Sequence, residues 1–286
     1  MREKRKQSGF TLIELMIALV LGLILSSSII QIMISNNMTE RLNRAIASAQ
    51  ENGRFIIARM RNELLMTGRY DTLQPTLNAD VDTIVESAFV KNNPVPLVGD
   101  FTNAATKGSI EGADGASDIL MVGFQGLQDC HGNKHSYLTD EEFYVVNEYF
   151  VEDSTLKCRG YDGRVLRGLK ASASTNDSYA ILDDVYSFQV QYGVTDTLTS
   201  QDNSARPVKF IDADTLGAEK AAGSQVVAIR LAILLKADSE VLIDPVPLFK
   251  LFSEDSIQPS EQRLYKQFET TITLRNSKNF IRSRNI

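Results

Sequence analysis

The stretch from Ser8 to Ile34 reads SGFTLIELMIALVLGLILSSSIIQIMI and decides the fold of this chain. From Phe10 to Ile34 it holds 25 residues, of which only Glu14 is ionisable. As an α-helix this segment is about 37 Å long, enough to cross a hydrocarbon layer of about 30 Å with some tilt. The sequence therefore predicts a membrane-spanning helix near its N-terminal end.

The residues in front of this helix predict its orientation. Met1 to Gln7 contain four cations and one acid. Positive charge beside a membrane helix keeps that end in the cytoplasm. Everything after Ile34 is therefore expected on the other side of the membrane.

Two features separate this segment from an ordinary secretory signal or membrane anchor. A secretory signal is cut after its apolar region at small residues, but here the small pair Ser8-Gly9 precedes that region. A charged group within a membrane span is costly, so Glu14 is expected to be paired and functional. Cleavage after Gly9 would create an ammonium group on Phe10, which is a suitable partner for that carboxylate.

The sequence from Gly9 to Glu14, which follows a short basic leader, resembles the class III signal of type IV prepilins and type II secretion pseudopilins. The resemblance implies a prepilin peptidase that cuts between Gly9 and Phe10 and methylates the new amine of Phe10. It also implies that Glu14 helps to insert the subunit into a growing filament, facing a neighbour's N-terminus. The alternative is an uncleaved anchor whose Glu14 side chain extends to the membrane interface.

The helix is predicted to continue beyond the membrane. Residues 36–67 contain no proline and one glycine, Gly53, and Gly68 is suited to end a helix. Apolar residues recur at the helical spacing, namely Met38, Leu42, Ala45, Ala49, Ile56, Met60 and Leu64. We therefore predict one helix from Phe10 to Thr67, about 87 Å long, with an exposed first half and a second half packed on a domain.

The chain after Ser117 is predicted to form strands, because apolar and polar residues alternate there. Candidate strands are Asp118–Phe124, Glu142–Glu152, Thr155–Arg159, Tyr186–Tyr192, Val227–Lys236 and Phe268–Arg275. The alternation predicts an antiparallel sheet with one buried face, covered by the apolar stripe of the long helix. Residues 69–116, with a short ambiguous segment at 82–90, and residues 195–206 and 237–263 are expected to be irregular.

This layout is α+β and resembles the pilin-like fold, in which a long N-terminal α-helix packs on an antiparallel β-sheet. Gly68-Arg69-Tyr70, the segment 188–193 and the ending 273–276 are similar to PilW-type minor pilins of type IV pili. The expected organisation is a leader at 1–9, a transmembrane and filament-core half-helix at 10–35, and a periplasmic domain at 36–286. The resemblance implies single-pass insertion in the inner membrane, followed by incorporation into a pilus filament.

The PilW-type resemblance also implies a non-enzymatic subunit that initiates pilus assembly or lies at the tip. The implied partners are other minor pilins, the major pilin and the prepilin peptidase. Two alternatives remain open at this point. One is the J-type minor pseudopilin of type II secretion, and the other is a periplasmic enzyme or sensor with an uncleaved anchor.

The chain has two cysteines, Cys130 and Cys158, both beyond the membrane helix. Because disulfides persist outside the cytoplasm, we predict that the two are bridged, and free thiols are the alternative. His131 and His135 follow Cys130 and raise the question of zinc. A bridged Cys130 would leave only these two histidines, so no metal site is expected.

Charge and motifs argue against several other functions. Removing residues 1–9 takes away four cations and one acid, so the formal charge falls from −6 to −9. Cationic side chains drive nonspecific nucleic-acid binding, so this negative net charge argues against it. A local basic strip lies near the C-terminal end, at Arg275, Lys278, Arg282 and Arg284. We find no phosphate loop, Gly-x-Ser-x-Gly motif or Ser/His/Asp set, and we predict no catalytic residue and no cofactor. Pairs of aspartates at 80/82, 183/184 and 212/214 are interpreted as turn residues, with calcium left open.

Overall fold

A computed structural model describes residues 9, 11–171, 177–196, 206–238, 241–252 and 255–276. The helices are α1 (Leu12–Leu64), α2 (Thr83–Asn92), α3 (Gly163–Leu166) and α4 (Ala213–Ala221). The strands are β1 (Leu120–Gly126), β2 (Phe143–Glu152), β3 (Thr155–Asp162), β4 (Ser178–Leu182), β5 (Val185–Val194), β6 (Lys209–Ile211), β7 (Val226–Lys236) and β8 (Tyr265–Thr273). The α+β class with one long N-terminal helix and antiparallel pairing is thereby confirmed.

Helix α1 ends at Leu64, three residues before the predicted end at Thr67. Leu65 closes the last turn through its N–H, which donates to the carbonyl of Arg61 at 3.1 Å. Gly68 adopts a φ of +74° a few residues later, and its N–H donates to the Gly123 carbonyl at 2.8 Å. The glycine predicted to stop the helix therefore directs the chain from the helix onto the first strand.

Burial divides α1 into two halves. One face of the second half is buried, namely Ala45, Ala49, Gly53, Ile56, Met60 and Leu64. Met38 was predicted to share this stripe, but it is 68% exposed, so the prediction was wrong at that residue. The reason is that the domain first contacts the helix around Leu42 and Ala45, and spacing alone does not report where a partner surface begins.

The strands form two four-stranded sheets, ordered β1-β2-β3-β4 and β6-β5-β7-β8, rather than the single sheet expected from the sequence. Residues 117–118 connect the two sheets. The Asp118 N–H donates to the Phe188 carbonyl at 2.8 Å, and the Val190 N–H donates to Asp118 Oδ2 at 2.7 Å. Alternation reports which face of a strand is buried but not which strand lies beside it, so it could not predict the division.

The second sheet is buried on both faces along much of β5 and β7, whereas one buried face was predicted. Ala232 and Leu234, on the side of β7 predicted to be exposed, pack against Val246 and Leu251. Both of these covering residues come from the segment 237–263, which was expected to be an irregular insertion or loop between strands. An irregular segment with scattered apolar residues therefore supplies part of the core.

The last strand also fixes the end of α1. Asn276, just after β8, donates from Nδ2 to the carbonyls of Leu65 at 3.0 Å and Thr67 at 3.3 Å. The final carbonyls of a helix have no partner within it, so this amide supplies the missing donor.

We expect Asn276→Ala to destabilise the domain by about 1 kcal/mol, because it removes both of these hydrogen bonds. For a domain of this size the melting temperature should fall by about 2–4 °C. Calorimetry of the full chain checks this value, with Asn276→Asp as the control that keeps the shape but replaces the donor. An unchanged melting temperature in both variants would contradict the capping role.

Candidate assembly site

The first half of α1 is a continuous apolar surface that nothing in the described structure covers. Its large apolar side chains from Leu12 to Ile34 are between 53% exposed, at Val20, and 79% exposed, at Leu12. Among the described residues, α1 is the helix that is long and apolar enough to span a membrane, with a mean hydropathy of 2.4 over its most apolar window. Apolar surface of this extent is stable only in lipid or against another apolar surface.

The first turn of α1 is closed by a capping box between Thr11 and Glu14. The Thr11 N–H and hydroxyl both donate to Glu14 Oε2, at 2.9 and 2.8 Å, and the Glu14 N–H donates to Thr11 Oγ1 at 3.4 Å. This arrangement satisfies two of the unpaired amides at a helix start. It also holds the Glu14 carboxylate at the end of the helix where cleavage is predicted.

The predicted cleavage and methylation site lies beside this capping box. Gly9 is described and exposed, whereas Phe10 lies outside the described residues. Processing between Gly9 and Phe10 and methylation of Phe10 therefore stay predictions, as does the role of Glu14 in the filament.

The second half of α1 is held firmly on the domain. At Gly53 the helix contacts the ring of Phe268 on β8. The contact is so close that a Cβ atom on this residue would lie 2.2 Å from Phe268 Cζ, so only glycine fits here. Further along, Glu63 accepts hydrogen bonds from the Tyr149 hydroxyl and from Arg59 Nε, the latter at 2.9 Å. Burial, together with the neighbouring Glu63 carboxylate, raises the pKa of Tyr149 well above its usual value. The hydrogen bond between Glu63 and Tyr149 therefore joins the end of α1 to β2 of the first sheet.

The two cysteines are joined by a disulfide bond, with 6.4 Å between their Cα atoms. Cys158 is buried on β3, and Cys130 lies in the loop between β1 and β2. The bond therefore fastens this loop to the middle of the first sheet.

Asp129 organises the same loop from the inside. Its carboxylate accepts the N–H groups of His131 and Asn133, both at 2.9 Å, and contacts His135 Nε2 at 2.8 Å. Burial opposes the ionisation of Asp129, but these hydrogen bonds outweigh it and lower the pKa of the carboxyl group. Among the described residues no group of three His, Cys, Asp or Glu side chains is placed to hold a metal ion. No pattern in the sequence indicates the contact between His135 and Asp129.

We expect Cys130→Ser to destabilise the domain by about 3–4 kcal/mol on the chain-entropy account of a 28-residue separation. The melting temperature should fall by about 10 °C, and reduction of the wild-type chain should give the same fall. Thiol alkylation with and without reductant measures the bond directly. Ready alkylation of both cysteines in the folded, unreduced protein would refute the bridge.

A buried charged network fixes the segment between α1 and β1, and sequence reasoning missed it. Arg164 on α3 donates to Glu86 on α2, with 2.7 Å between Nη2 and Oε2. The same guanidinium donates to the Asn78 carbonyl at 2.8 Å, and the Tyr70 hydroxyl donates to Glu86 at 2.6 Å. The side chains of Arg164 and Glu86 are 1% and 0% exposed.

The acidic pairs noted in the sequence have local partners. Asp82 caps α2 by accepting the N–H groups of Ile84 and Val85, at 3.0 and 3.1 Å. Asp183 accepts the Thr155 hydroxyl at 2.8 Å, and Asp212 accepts Gln191 Nε2 at 3.0 Å. These contacts fit the interpretation of the aspartates as residues of turns and helix caps.

Comparison with known proteins agrees with these features. The family model described as Type IV Pilus-assembly protein W matches residues 142–276, and the prokaryotic N-terminal methylation motif matches residues 4–30. No curated protein sequence matches the chain.

Solved structures that match this chain include a type IV-like pilin and a complex of two pseudopilins. A type IV-like pilin from Thermus thermophilus matches with a TM-score of 0.35 and 13% identity, over 60% of this chain and 83% of that one. A binary complex of two pseudopilins from the type 2 secretion system of Vibrio vulnificus matches with a TM-score of 0.21 and 8% identity, over 52% of this chain and 62% of that one.

The methylation motif and the apolar half-helix define a pilin-like protein with a prepilin-type N-terminus, which indicates a membrane anchor. The match over 142–276 adds a C-terminal region that is similar to the PilW family, and together these features describe a minor pilin-like protein of the type IV pilus and pseudopilin kind. The resemblance predicted from the sequence is thereby confirmed. The proteins of the pilin families are structural proteins.

Proposed function

We propose that this chain is a minor pilin of a type IV pilus, which initiates assembly or lies at the tip in a complex with other minor pilins. The observation that carries the proposal is the division of α1 into an exposed apolar half and a half packed on the domain. A helix divided in this way can exchange lipid for other apolar helices while its domain stays folded. The match to an assembly protein, rather than a bulk filament subunit, supports a role at the start of the filament.

The proposed mechanism follows the helix from the membrane to the filament. The subunit waits in the inner membrane with Phe10–Ile34 in lipid and its domain in the periplasm. The prepilin peptidase cuts between Gly9 and Phe10 and methylates the new amine. The apolar half of α1 then packs against the same segment of neighbouring subunits, including the major pilin. In that apolar core the Glu14 carboxylate pairs with the Phe10 ammonium of an adjoining subunit.

Deletion of the gene tests the proposal against the J-type pseudopilin. We expect loss of surface pili, restored by the wild-type chain, with secretion of exoproteins unchanged. Electron microscopy with a labelled antibody should then find the chain at pilus tips or bases rather than along the shaft. Loss of secretion with normal pili would assign the chain to the secretion system instead.

A further inference from the structure

The edges of the two sheets differ in how their backbone groups are paired. Strand β1 is an edge, but loops bond all of its outward groups. The Gly123 N–H donates to the Pro94 carbonyl, and the Gly123 carbonyl accepts the Gly68 N–H. Arg69 serves Gln125 in the same way, because its carbonyl accepts the Gln125 N–H and its Nη1 donates to the Gln125 carbonyl. The Ser109 hydroxyl accepts the Met121 N–H and donates to the Met121 carbonyl. This edge therefore offers no free donor or acceptor.

Strand β8 is an edge strand of the second sheet, where it lies beside β7. Its pairing with β7 is regular over nine residues. Just beyond the two ends of this ladder, the Leu274 N–H donates to Val227 and the Ala237 N–H donates to Leu264, both at 2.8 Å. In an antiparallel pair, every second residue of a strand bonds to its partner strand. Because Leu264 and Leu274 are bonded to the chain at the ends of β7, the even-numbered residues between them also bond to β7, namely Lys266, Phe268, Thr270 and Ile272. The odd-numbered residues from Tyr265 to Thr273 therefore direct their N–H and carbonyl groups outward.

Within the described residues, no hydrogen bond reaches these outward groups. The neighbouring polar side chains of Gln267 and Glu269 bond elsewhere. Gln267 donates to Glu269 on the same strand at 2.7 Å and to the Lys250 carbonyl at 3.1 Å, and Glu269 pairs with Arg230 on β7 at 3.1 Å. The strand has no register shift and no proline, which are two of the devices that commonly close an edge.

The course of β8 relative to α1 restricts what can pair with it. Leu264 packs near Ala45 and Ala49, Phe268 meets Gly53, and Asn276 bonds Leu65. Strand β8 therefore runs along α1 in the same sense, from the membrane side outward. An antiparallel pair of two β8 strands related by a two-fold axis would reverse one α1 relative to the other. Two copies inserted in one membrane with the same orientation cannot pair in this way.

We propose that the outer edge of β8 accepts an extended strand from a different pilin subunit, as a fifth strand on the second sheet. The inference rests on the proposed function, because the edge lies beside the helix that other pilin subunits would surround. Main-chain hydrogen bonds would supply the contact, as in other cases of strand addition.

Amide exchange gives a signature that alternates along the strand. In the isolated full-length chain in detergent, the amides of Gln267, Glu269 and Thr271 should exchange about tenfold or more faster than those of Phe268, Thr270 and Ile272. In intact sheared pili, where the neighbouring strand is present, the odd-numbered amides should become as slow as the even-numbered ones. Slow exchange of the odd-numbered amides in the isolated chain, or fast exchange in the pilus, would overturn the proposal.

A matched pair of variants separates the backbone from the side chain. Thr271→Pro removes an outward N–H without breaking a bond to β7, which an edge strand tolerates. Thr271→Ala keeps that N–H and removes only the side chain. We expect the proline variant to fold and be processed but to give few pili, and the alanine variant to give normal numbers.

Normal pilus numbers with a folded Thr271→Pro chain would refute the edge contact. If that variant fails to fold, the exchange measurement on the wild-type chain decides. Absence of the wild-type chain from pili would refute the proposed function instead, so the two failures are distinguishable.

Discussion

Replacing Glu14 with leucine should leave the chain processed and present in the membrane, yet support few or no pili. In lipid the change removes an ionisable group from an apolar helix, so membrane retention should be unchanged or improved. In the filament core the same change leaves the Phe10 ammonium of an adjoining subunit without its partner. A buried charge that loses its partner is strongly destabilising. The defect should be large because one missing initiator stops a filament built from many other subunits.

Thr11→Ala is the matched control for this experiment. It removes the Thr11 hydroxyl from the capping box but keeps the Glu14 carboxylate. If Glu14 acts only as a local cap, the two variants should weaken assembly to a similar degree. If Glu14 pairs with a neighbour, only Glu14→Leu should abolish pili. Normal pilus counts with Glu14→Leu would rule out the pairing role and leave the pilin-like identity intact.

Replacing Glu86 with alanine should destabilise the domain by about 3–5 kcal/mol, because it leaves the Arg164 guanidinium buried without its charge partner. Burial alone would lower the pKa of Arg164. The hydrogen bonds from Arg164 to Glu86 and the negative charge of Glu86 outweigh this effect and raise the pKa of Arg164 above its usual value. The Tyr70 hydroxyl would lose its acceptor as well. The melting temperature should fall by about 10 °C.

Two further variants test whether charge causes this loss. The double variant Glu86→Met with Arg164→Met removes both charges and should recover much of the stability. Glu40→Ala removes the partner of Arg44 in an exposed pair, where the two side chains are 56% and 77% exposed, and should change stability by less than about 1 kcal/mol. A double variant no more stable than Glu86→Ala would show that packing volume, rather than charge, holds this segment.

The features predicted well from the sequence are those with a local pattern. The apolar run and Glu14 identify the first half of α1, and the helical spacing from Ala45 to Leu64 identifies the face that is buried. The alternation in β5, β7 and β8 predicted strands where strands occur. Each of these signals arises from residues close together in the chain, so the sequence contains it directly.

The features that were missed depend on residues far apart in the chain. Glu86 and Arg164 are separated by 78 residues, and neither has a neighbour in sequence that indicates a charge partner. The division into two sheets depends on the backbone of Asp118 meeting Phe188 and Val190, which no periodicity reports. Tyr70 was noted as part of a family-like motif, but its role as a donor to Glu86 required the fold.

The mass of the mature N-terminus tests the central claim most directly. Mass spectrometry of the chain extracted from membranes with an active prepilin peptidase should show a first residue of Phe10 carrying one methyl group. Gly9→Val is the control, and it should retain the leader because the added side chain crowds a site that accepts only a minimal residue. A wild-type chain that begins at Met1 in those membranes would contradict the account and favour a permanently anchored periplasmic protein.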